Sequence, residues 1–242
     1  MAAEGPLSVV RAITVRLDPR RVRFALDRRS RDYGMSGDWS IDRLPPEGVV
    51  AFNAGQFAGG APWGWLVRDG IELQPPGTGS LGMAFVVDGA GNVSLVMPGE
   101  LPAARTRARL AFQSYPALLV DGQTPWEIQA PGRGVDLSHR DSRLAVGILP
   151  NNGVVVALTR FAGLGSQAET FPWGPTVTEM ATFMKSLGCE RAMLLDGGIS
   201  GQLAVRERDG SVKRWSNWRA VPLGLIVSPR EPSPKLPLSG GR

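Results

Sequence analysis

Apolar and polar residues alternate along most of the chain, which is the pattern of half-buried β-strands. Residues 9–17 (VVRAITVRL) and 22–26 alternate in this way on either side of a turn at Asp18-Pro19. Shorter apolar runs follow, separated by Asp-Gly or Asn-Gly pairs, and such pairs favour tight hairpins. We therefore predict hairpins that turn at 69–70, 88–91, 151–153 and 209–210.

One segment has helical periodicity instead. Its apolar residues recur at the i, i+3, i+4, i+7 spacing of a single helix face, at Val177, Met180, Ala181, Met184 and Leu187. Thr176 and Glu179 fit a capping box that begins the helix, and Gly188 stands where a glycine commonly ends one. The sequence therefore predicts an amphipathic helix at about 176–187, packed on a sheet.

Together these elements predict a strand-dominated α+β domain, with a mixed sheet, a packed amphipathic helix and several hairpins. We place this single domain at residues 7–228. Residues 28–47 are polar and turn-rich, which predicts an irregular surface excursion. Residues 229–242 are rich in Pro and Gly, which predicts a flexible tail.

Composition and charge exclude several classes of protein. With 43% hydrophobic residues the chain can bury a core, and no apolar run approaches the ~20 residues of a membrane span. The single cysteine, Cys189, leaves no intramolecular disulfide. One cysteine with one histidine also argues against a zinc site.

The net charge of +5 lies entirely in residues 1–31, which have eight arginines and three acidic residues. A lysine-rich groove interleaved with aromatic residues is typical of single-stranded nucleic-acid binding, and this chain has only three lysines. Its tryptophans at 63, 65, 215 and 218 fit sugar-stacking surfaces or, more commonly, strand packing. We therefore predict no nucleic-acid partner.

The densest candidate site follows an apolar strand at 191–195 (RAMLL). Asp196 ends that strand, and Gly197, Gly198 and Ser200 come directly after it. Such glycines let backbone N–H groups converge on an anion beside the carboxylate, although a plain glycine turn is the simpler interpretation. An ionised carboxylate at the end of an apolar strand is partly desolvated, which favours a functional role for Asp196.

Four further residues stand at the ends of predicted elements and have simple structural interpretations of their own. Glu179 closes the capping box, and Asn53 lies in an Asn-Ala-Gly turn. Arg143 and Arg219 stand before strands, where surface arginines are common. His139 we expect to be a solvated loop residue.

Six segments, taken in order, resemble the phosphodiester glycosidase family. They are AFNAGQF at 51–57, YPALLVDG at 115–122, RLAVGI at 143–148, TVTEMATFMKSLGC at 176–189, LLDGGISGQ at 194–202, and Arg219 before the last strand. Each motif alone is weak, but together they are specific. Gln56 and Ile199 depart from the family pattern, which usually has an aromatic residue and a third glycine there, and these departures bear on the substrate more than on the fold.

The resemblance implies a hydrolase that cleaves the bond between a sugar C1 and a phosphodiester oxygen, on an envelope or exopolysaccharide-type glycan. A phosphate monoester is a good leaving group, so the site needs cations for the phosphate and carboxylates near C1. The implied residues are Asp196 and Glu179 as catalytic carboxylates, and Asn53, Arg143, Arg219, Gly197, Gly198 and Ser200 as substrate-binding residues. Family members are often exported. The chain, however, opens on Met-Ala-Ala-Glu without a signal-peptide pattern, so either a leader has been removed or the protein stays inside the cell. Of these two we expect a secreted or periplasmic protein whose leader has been removed.

Two other classes stay open. A non-catalytic carbohydrate- or envelope-binding module would keep the fold and lose the acid pair. A metal-assisted phosphodiesterase would gather Asp196, Asn53 and Asp121 around a hard cation such as Ca²⁺ or Mg²⁺. We predict no resident cofactor, with a divalent cation as the alternative, and a carbohydrate or sugar-phosphate partner. The sequence indicates no oligomeric state.

Overall fold

Three five-stranded antiparallel sheets build the fold of the described residues. The computed structural model describes residues 9–27, 39–58, 60–163 and 168–230, and the strands within these ranges are numbered β1 to β17 in chain order. A small hairpin pairs β4 (Phe57–Ala58) with β5 (Ala61–Pro62), and short 3-10 helices lie at Ile41–Arg43, Pro98–Glu100 and Trp126–Ile128. Among the described residues, no helix has the length and apolar character needed to cross a membrane.

The first sheet carries the main helix. Its spatial order is β1-β13-β12-β14-β11, with β1 (Val10–Leu17), β11 (Ala117–Leu119), β12 (Leu144–Ile148), β13 (Val154–Phe161) and β14 (Arg191–Leu195). Val155 and Ala157 of β13 pack beneath helix α2 (Val177–Ser186). Val156, between them, points to the opposite face and joins the central core.

Helix α2 begins and ends as the sequence predicts. The Thr176 hydroxyl accepts a hydrogen bond from the Glu179 N–H at 3.2 Å, and the Glu179 carboxylate accepts one from the Thr176 N–H at 2.9 Å. These two bonds close the capping box. Gly188 follows the last turn with φ +88°, a conformation that favours glycine.

The second sheet is covered by a short helix. Its order is β7-β6-β10-β8-β9, with β6 (Leu66–Arg68), β7 (Ile71–Gln74), β8 (Met83–Asp88), β9 (Val93–Val96) and β10 (Ala108–Ser114). Its outer face, which includes Trp65 and Val67, packs against helix α1 (Leu101–Arg105). Asp69 and Gly70 both have positive φ, as the tight β6–β7 hairpin requires.

The third sheet is covered by the segment that precedes it. Its order is β16-β15-β3-β17-β2, with β2 (Val22–Asp27), β3 (Val50–Asn53), β15 (Leu203–Arg206), β16 (Val212–Trp215) and β17 (Gly224–Pro229). Trp39 and Ile41 are wholly buried on its outer face. The indole ring of Trp39 lies where a side chain at position 224 would be, so only glycine fits there.

The inner faces of the three sheets meet in one central core. Phe52 of β3, Phe85 of β8 and Phe112 of β10 belong to it, and the rings of Phe85 and Phe112 stack with centroids 5.1 Å apart. Leu195, the last residue of β14, is part of the same core. Because the sheets share this core, the ends of strands from all three lie close together in space.

The strand-dominated α+β class, the helix and the four predicted hairpins are confirmed. In place of the mixed sheet that we expected, the described strands form separate antiparallel sheets. Hairpin turns join many successive strands, and a parallel pair would need a long crossover instead.

Two expected irregular segments are partly ordered. The surface excursion predicted at 28–47 is wrong at Trp39, Ile41 and Leu44, which are buried; residues 28–38 lie outside the described residues. Strand β17 runs through Pro229, and Arg230 donates to the carbonyls of Val22 and Gly91. The predicted tail therefore loses its first two residues to the sheet, and the rest of it, 231–242, is likewise outside the described residues.

Replacement of Gly224 by alanine tests how the third sheet is covered. A methyl group there would overlap the buried ring of Trp39. We expect Gly224→Ala to lower the free energy of unfolding by about 1–3 kcal/mol, the usual cost of overpacking, as measured by urea denaturation. Gly99→Ala is the matched control, since a Cβ at Gly99 meets nothing within 4 Å. Equal unfolding midpoints for the two variants would contradict the packing described.

Candidate active site

A cleft of about 370 Å³ opens where strand ends of the three sheets meet. Asp196 follows β14, and Asp141 and Arg143 stand just before β12, the strand that pairs with β14. His139 and Arg219 line the same cleft. Asp136 lines it too, so three aspartates, a histidine and two arginines border one space.

The backbone of Asp196 is fixed from the third sheet. Its N–H donates to the Gly55 carbonyl at 2.9 Å, and its carbonyl accepts a hydrogen bond from Asn53 Nδ2 at 2.7 Å. Asn53 is wholly buried, and its Oδ1 accepts the N–H of Gln202 at 2.9 Å. Both ends of the Asn53 amide are bound to backbone. Asn53 therefore holds the turn after Asp196 instead of lining the cleft, where we expected it to bind substrate.

The glycine turn, residues 197–201, packs against the segment before β12. Gly198, with φ +52°, donates its N–H to the Ser142 carbonyl at 2.7 Å. A Cβ at Gly198 would lie 2.7 Å from Asp141 Oδ2, so glycine permits the close approach of that carboxylate. Because the Gly198 N–H is already paired, the anion-binding turn that we predicted loses this donor.

Asp196 is a partly buried carboxylate between charges of both signs. Burial raises its pKa above the ordinary aspartate value, and the nearby negative charge of Asp141 raises it further. A hydrogen bond from Ser200, which is itself buried, and the positive charge of Arg219 act in the opposite direction. Asp196 is therefore a stronger base than a solvated aspartate.

Asp141 and His139 are cleft residues that the sequence analysis missed. Asp141 Oδ2 lies 3.4 Å from His139 Nε2, and Asp141 Oδ1 accepts the Ser142 N–H at 2.8 Å. The His139 side chain is 57% exposed, as expected for a loop residue, yet it lines the cleft. The one available signal was their place just before the RLAVGI strand, because the pairing of β12 with β14 is not visible in the sequence.

Both predicted arginines line the cleft, in different ways. Arg143 Nε donates to the Pro175 carbonyl at 3.1 Å and its Nη2 to the His139 carbonyl at 2.7 Å, so part of this guanidinium holds neighbouring loops. Arg219 is exposed, and its backbone N–H donates to the Ile199 carbonyl at 3.1 Å. Arg219 is therefore the more accessible cation beside Asp196.

Glu179 does not line the cleft with Asp196. Its carboxylate accepts two hydrogen bonds from Arg140, at 2.7 and 2.8 Å, in addition to the capping bond from Thr176. The hydrogen bonds from Arg140 and from Thr176 lower the pKa of Glu179. The capping box turns this carboxylate back onto the backbone, and the expected convergence of Glu179 with Asp196 is not observed.

A buried arginine connects the glycine turn to the core. Arg160 of β13 is 1% exposed and donates to Ser142 Oγ at 3.1 Å. It also donates to the carbonyls of Gly201 at 2.6 Å and of Trp215 and Ser216, both at 3.1 Å. Burial lowers the pKa of Arg160 to about 10. One guanidinium thus fixes the glycine turn relative to the segment before β12.

Of the three residues in the metal-assisted alternative, Asp121 lies apart from Asn53 and Asp196. Asp121 pairs with Arg191 Nη2 at 3.0 Å, at the opposite end of β14 from Asp196. Across the residues that the structure describes, no group of three or more His, Cys, Asp or Glu side chains is placed to hold a metal ion. A cation site built from Asp196, Asn53 and Asp121 therefore has no geometric support.

Asp141→Asn and Arg219→Gln should move the pKa of Asp196 in opposite directions. Loss of the Asp141 charge removes a repulsion between carboxylates and lowers the pKa, whereas loss of the Arg219 charge removes an attraction and raises it. Carbon-13 NMR titration of the Asp196 carboxyl group measures both shifts. Shifts of the same sign would show that these two charges do not dominate the field at Asp196.

Arg160→Met should lower the free energy of unfolding by about 3 kcal/mol or more, because it leaves the buried oxygen atoms of Ser142 and Gly201 without this donor. Urea denaturation measures the change. Arg23→Met, at an exposed position of β2, is the matched control and should change stability by less than ~0.5 kcal/mol. If both variants unfold alike, Arg160 does not hold the glycine turn.

Solved structures share this fold at low sequence identity. The catalytic domain of zebrafish N-acetylglucosamine-1-phosphodiester alpha-N-acetylglucosaminidase, auto-inhibited by its pro-peptide, is 17% identical with a TM-score of 0.61, over 95% of this chain and 87% of that one. A hypothetical protein from Synechocystis is 15% identical with a TM-score of 0.58, over 91% and 59%. A Burkholderia pseudomallei protein named as exported is 14% identical with a TM-score of 0.63, over 91% and 74%. Identities this low show similarity of fold alone.

Similarity of sequence is more informative here than similarity of fold. No curated protein sequence matches the chain. A sequence model of the phosphodiester glycosidase family, however, matches residues 47–228, which is most of the chain. The matched range contains the glycine turn and the cleft residues Asp141, Arg143, Asp196 and Arg219. The chain belongs to the phosphodiester glycosidase family.

Proposed function

We propose that the protein hydrolyses the bond between a sugar C1 and a phosphodiester oxygen. The observation that carries this proposal is the partly buried carboxylate of Asp196 in a cleft that it shares with Arg143 and Arg219. Carboxylates stabilise the positive charge that develops at C1, and guanidinium groups bind phosphate. Membership of the phosphodiester glycosidase family supports the same reaction.

The phosphate is held by cations in this proposal. Arg219 is exposed beside Asp196 and supplies the direct contact, while Arg143 adds its charge with part of its guanidinium bound to loops. The Gly198 N–H is paired with Ser142 and takes no part. Arginine suits this task because its fork of donors matches two phosphate oxygens.

In the reaction, the oxygen of a water molecule bonds to C1 and the C1–O bond breaks. The electron pair of that bond leaves with the phosphate, which becomes a monoester, and the proton of the water passes to a carboxylate. We assign the acceptance of this proton to Asp196, because its raised pKa makes it a better proton acceptor at neutral pH. The second carboxylate in this proposal is Asp141, which lies beside His139 in the cleft. We had expected Glu179 in that role.

We propose as substrate an envelope or exopolysaccharide-type glycan with phosphodiester-linked sugars. The protein would act on this glycan outside the cytoplasm. The family supports a phosphodiester-linked sugar as the reacting group. Export is supported by the name of one protein of the same fold.

Asp196→Asn tests the proposal on a sugar-1-phosphate methyl diester. Asparagine keeps the size and hydrogen-bonding shape of the side chain and removes the charge, so turnover should fall by ~10²-fold or more. The melting temperature should stay the same or rise, because a desolvated charge is removed. Glu179→Gln is the matched comparison: glutamine also closes a capping box, so we expect little loss of turnover.

Full activity in Asp196→Asn would assign Asp196 to the scaffold and overturn the mechanism. A loss of ~10²-fold in Glu179→Gln with an unchanged melting temperature would instead make Glu179 the catalytic carboxylate. The assay is repeated in EDTA. Activity lost in EDTA and restored by Ca²⁺ would favour the metal-assisted phosphodiesterase.

A further inference from the structure

A distal cavity of about 280 Å³ lies at the opposite end of the strands from the catalytic cleft. It is bordered by the β1–β2 turn at 18–20, the β8–β9 turn at 90–93, the β12–β13 turn at 151–152, and Arg230 after β17. Arg143 precedes β12 at the cleft, and Asn151 follows β12 at this cavity. At ~3.3 Å per residue, the chain between these two residues spans up to about 26 Å. The two spaces share no lining residue.

Arg230 is fixed in the wall of the distal cavity. Its Nε donates to the Val22 carbonyl at 2.9 Å, and its Nη2 donates to the Gly91 carbonyl at 3.2 Å. A Cβ at Gly91, which has φ +85°, would overlap Nη2, so glycine permits this close approach. Both of these acceptors are uncharged carbonyl oxygens, and neither neutralises the positive charge of Arg230.

The surface around the distal cavity is basic. Arg20 lines the cavity, and Arg21 and Arg23 are exposed beside it, just before β2 and within it. The Arg230 N–H donates to the Arg21 carbonyl at 2.8 Å, which joins the end of β17 to the β1–β2 turn. The carboxylate in the lining is that of Asp18, which pairs with Arg20 at 2.9 Å. Four arginines therefore surround one lining carboxylate, and this surface attracts anions.

Amide side chains supply uncharged hydrogen-bonding groups to the same cavity. Asn92 Nδ2 donates to Asp88, a carboxylate outside the lining, at 2.9 Å, which leaves the Asn92 amide oxygen as an acceptor. Asn151 Oδ1 accepts the Gly153 N–H at 3.1 Å, which leaves the Asn151 amide nitrogen as a donor. Asn152 adds a third amide to the lining. Such a mixture of donors and acceptors matches the hydroxyl groups of a sugar.

We propose that the distal cavity is a non-catalytic binding site for a second, distant stretch of the polymer that the catalytic cleft hydrolyses. This inference rests on the proposed function, in which the substrate is a phosphodiester-linked glycan. Each repeat of such a polymer has one negative charge and several hydroxyl groups, which complement the arginines and the amides of the cavity. A chain of several repeats reaches both sites, whereas a single-repeat diester occupies the cleft alone.

The lining favours a glycan over other polyanions. Single-stranded nucleic acid binds through bases that stack on aromatic side chains as well as through its charge. Among the described residues that line this cavity, none is aromatic. A bilayer of anionic lipids attracts basic residues through charge and makes no use of the recessed amides. A chain that carries both phosphates and hydroxyl groups uses both kinds of lining group.

The test compares a decamer of 1-phosphodiester-linked hexoses with the single-repeat methyl diester, with KM expressed per cleavable bond. Wild-type KM should be about tenfold lower for the decamer. Arg230→Gln should raise the decamer KM by about tenfold, the loss expected of one charged hydrogen bond. It should leave kcat for both substrates and the KM for the methyl diester unchanged. Arg208→Gln is the matched control, since Arg208 is exposed and lines neither space.

A second variant covers the case in which Arg230→Gln does not fold. Ala90 is exposed and lines the distal cavity, so Ala90→Glu adds bulk and a negative charge there without removing any packing. It should also raise the decamer KM by about tenfold or more. A folded variant of either kind that keeps the wild-type KM for the decamer overturns the proposal.

Failure of the distal site and failure of the reaction give different results. Cleavage of both substrates with equal KM overturns the distal site and leaves the proposed function standing. If neither substrate is cleaved, calorimetry with the decamer decides: binding that Arg230→Gln weakens supports the site, and equal binding of the two proteins overturns it. Decathymidylate is the charge control. If it binds as tightly as the decamer, the assignment to a glycan is wrong and the surface is a general polyanion site.

Discussion

The buried guanidinium of Arg160 is the constraint on which the geometry of the active site depends. A charge removed from water lowers stability unless its donors find acceptors. The direct hydrogen-bond partners described for Arg160 are oxygen atoms of Ser142, Gly201, Trp215 and Ser216, and all of them are uncharged. These oxygens must point inward together, which fixes the backbone on both sides of the glycine turn. A lysine could not span these acceptors, because its donors radiate from a single atom.

A fixed turn allows Asp196 to stay desolvated. If its backbone were free to move, the carboxylate would turn toward water and its pKa would fall to the ordinary value. Asn53 and Gly55 hold the Asp196 backbone from the third sheet, while Ser142 holds Gly198 from the first. Because the native pKa is raised, the native state binds the Asp196 proton more tightly than the unfolded state does. The contribution of Asp196 to stability therefore falls as pH rises from the unfolded to the native pKa. Sites that perform acid–base chemistry commonly carry such a penalty.

Turns and helix ends, which depend on neighbouring residues, were predicted from the sequence. The tight turn at 69–70 and the capping box of Thr176 with Glu179 follow from neighbouring residues, and both are as predicted. The candidate site depends on contacts between distant residues, which a linear pattern does not show. Asn53 was predicted to bind substrate, whereas its amide is bound to the backbone at positions 196 and 202. Asp141 carried no motif, since its nearness to Asp196 arises from the pairing of β12 with β14.

The cleft and the cavity beside it are built by different parts of the fold. The first and third sheets fix the backbone around Asp196, whereas a cavity of about 400 Å³ next to the cleft is lined by residues of the β4–β5 hairpin region and of the loop before β8. Gln56 and Tyr115 are the shared wall. Changes at Trp63 or Ser80 are therefore expected to leave Asp196 in place, because no hydrogen bond described for the glycine turn involves those positions. The core therefore constrains the turn that follows Asp196, whereas the lining of the neighbouring cavity can vary independently of that turn.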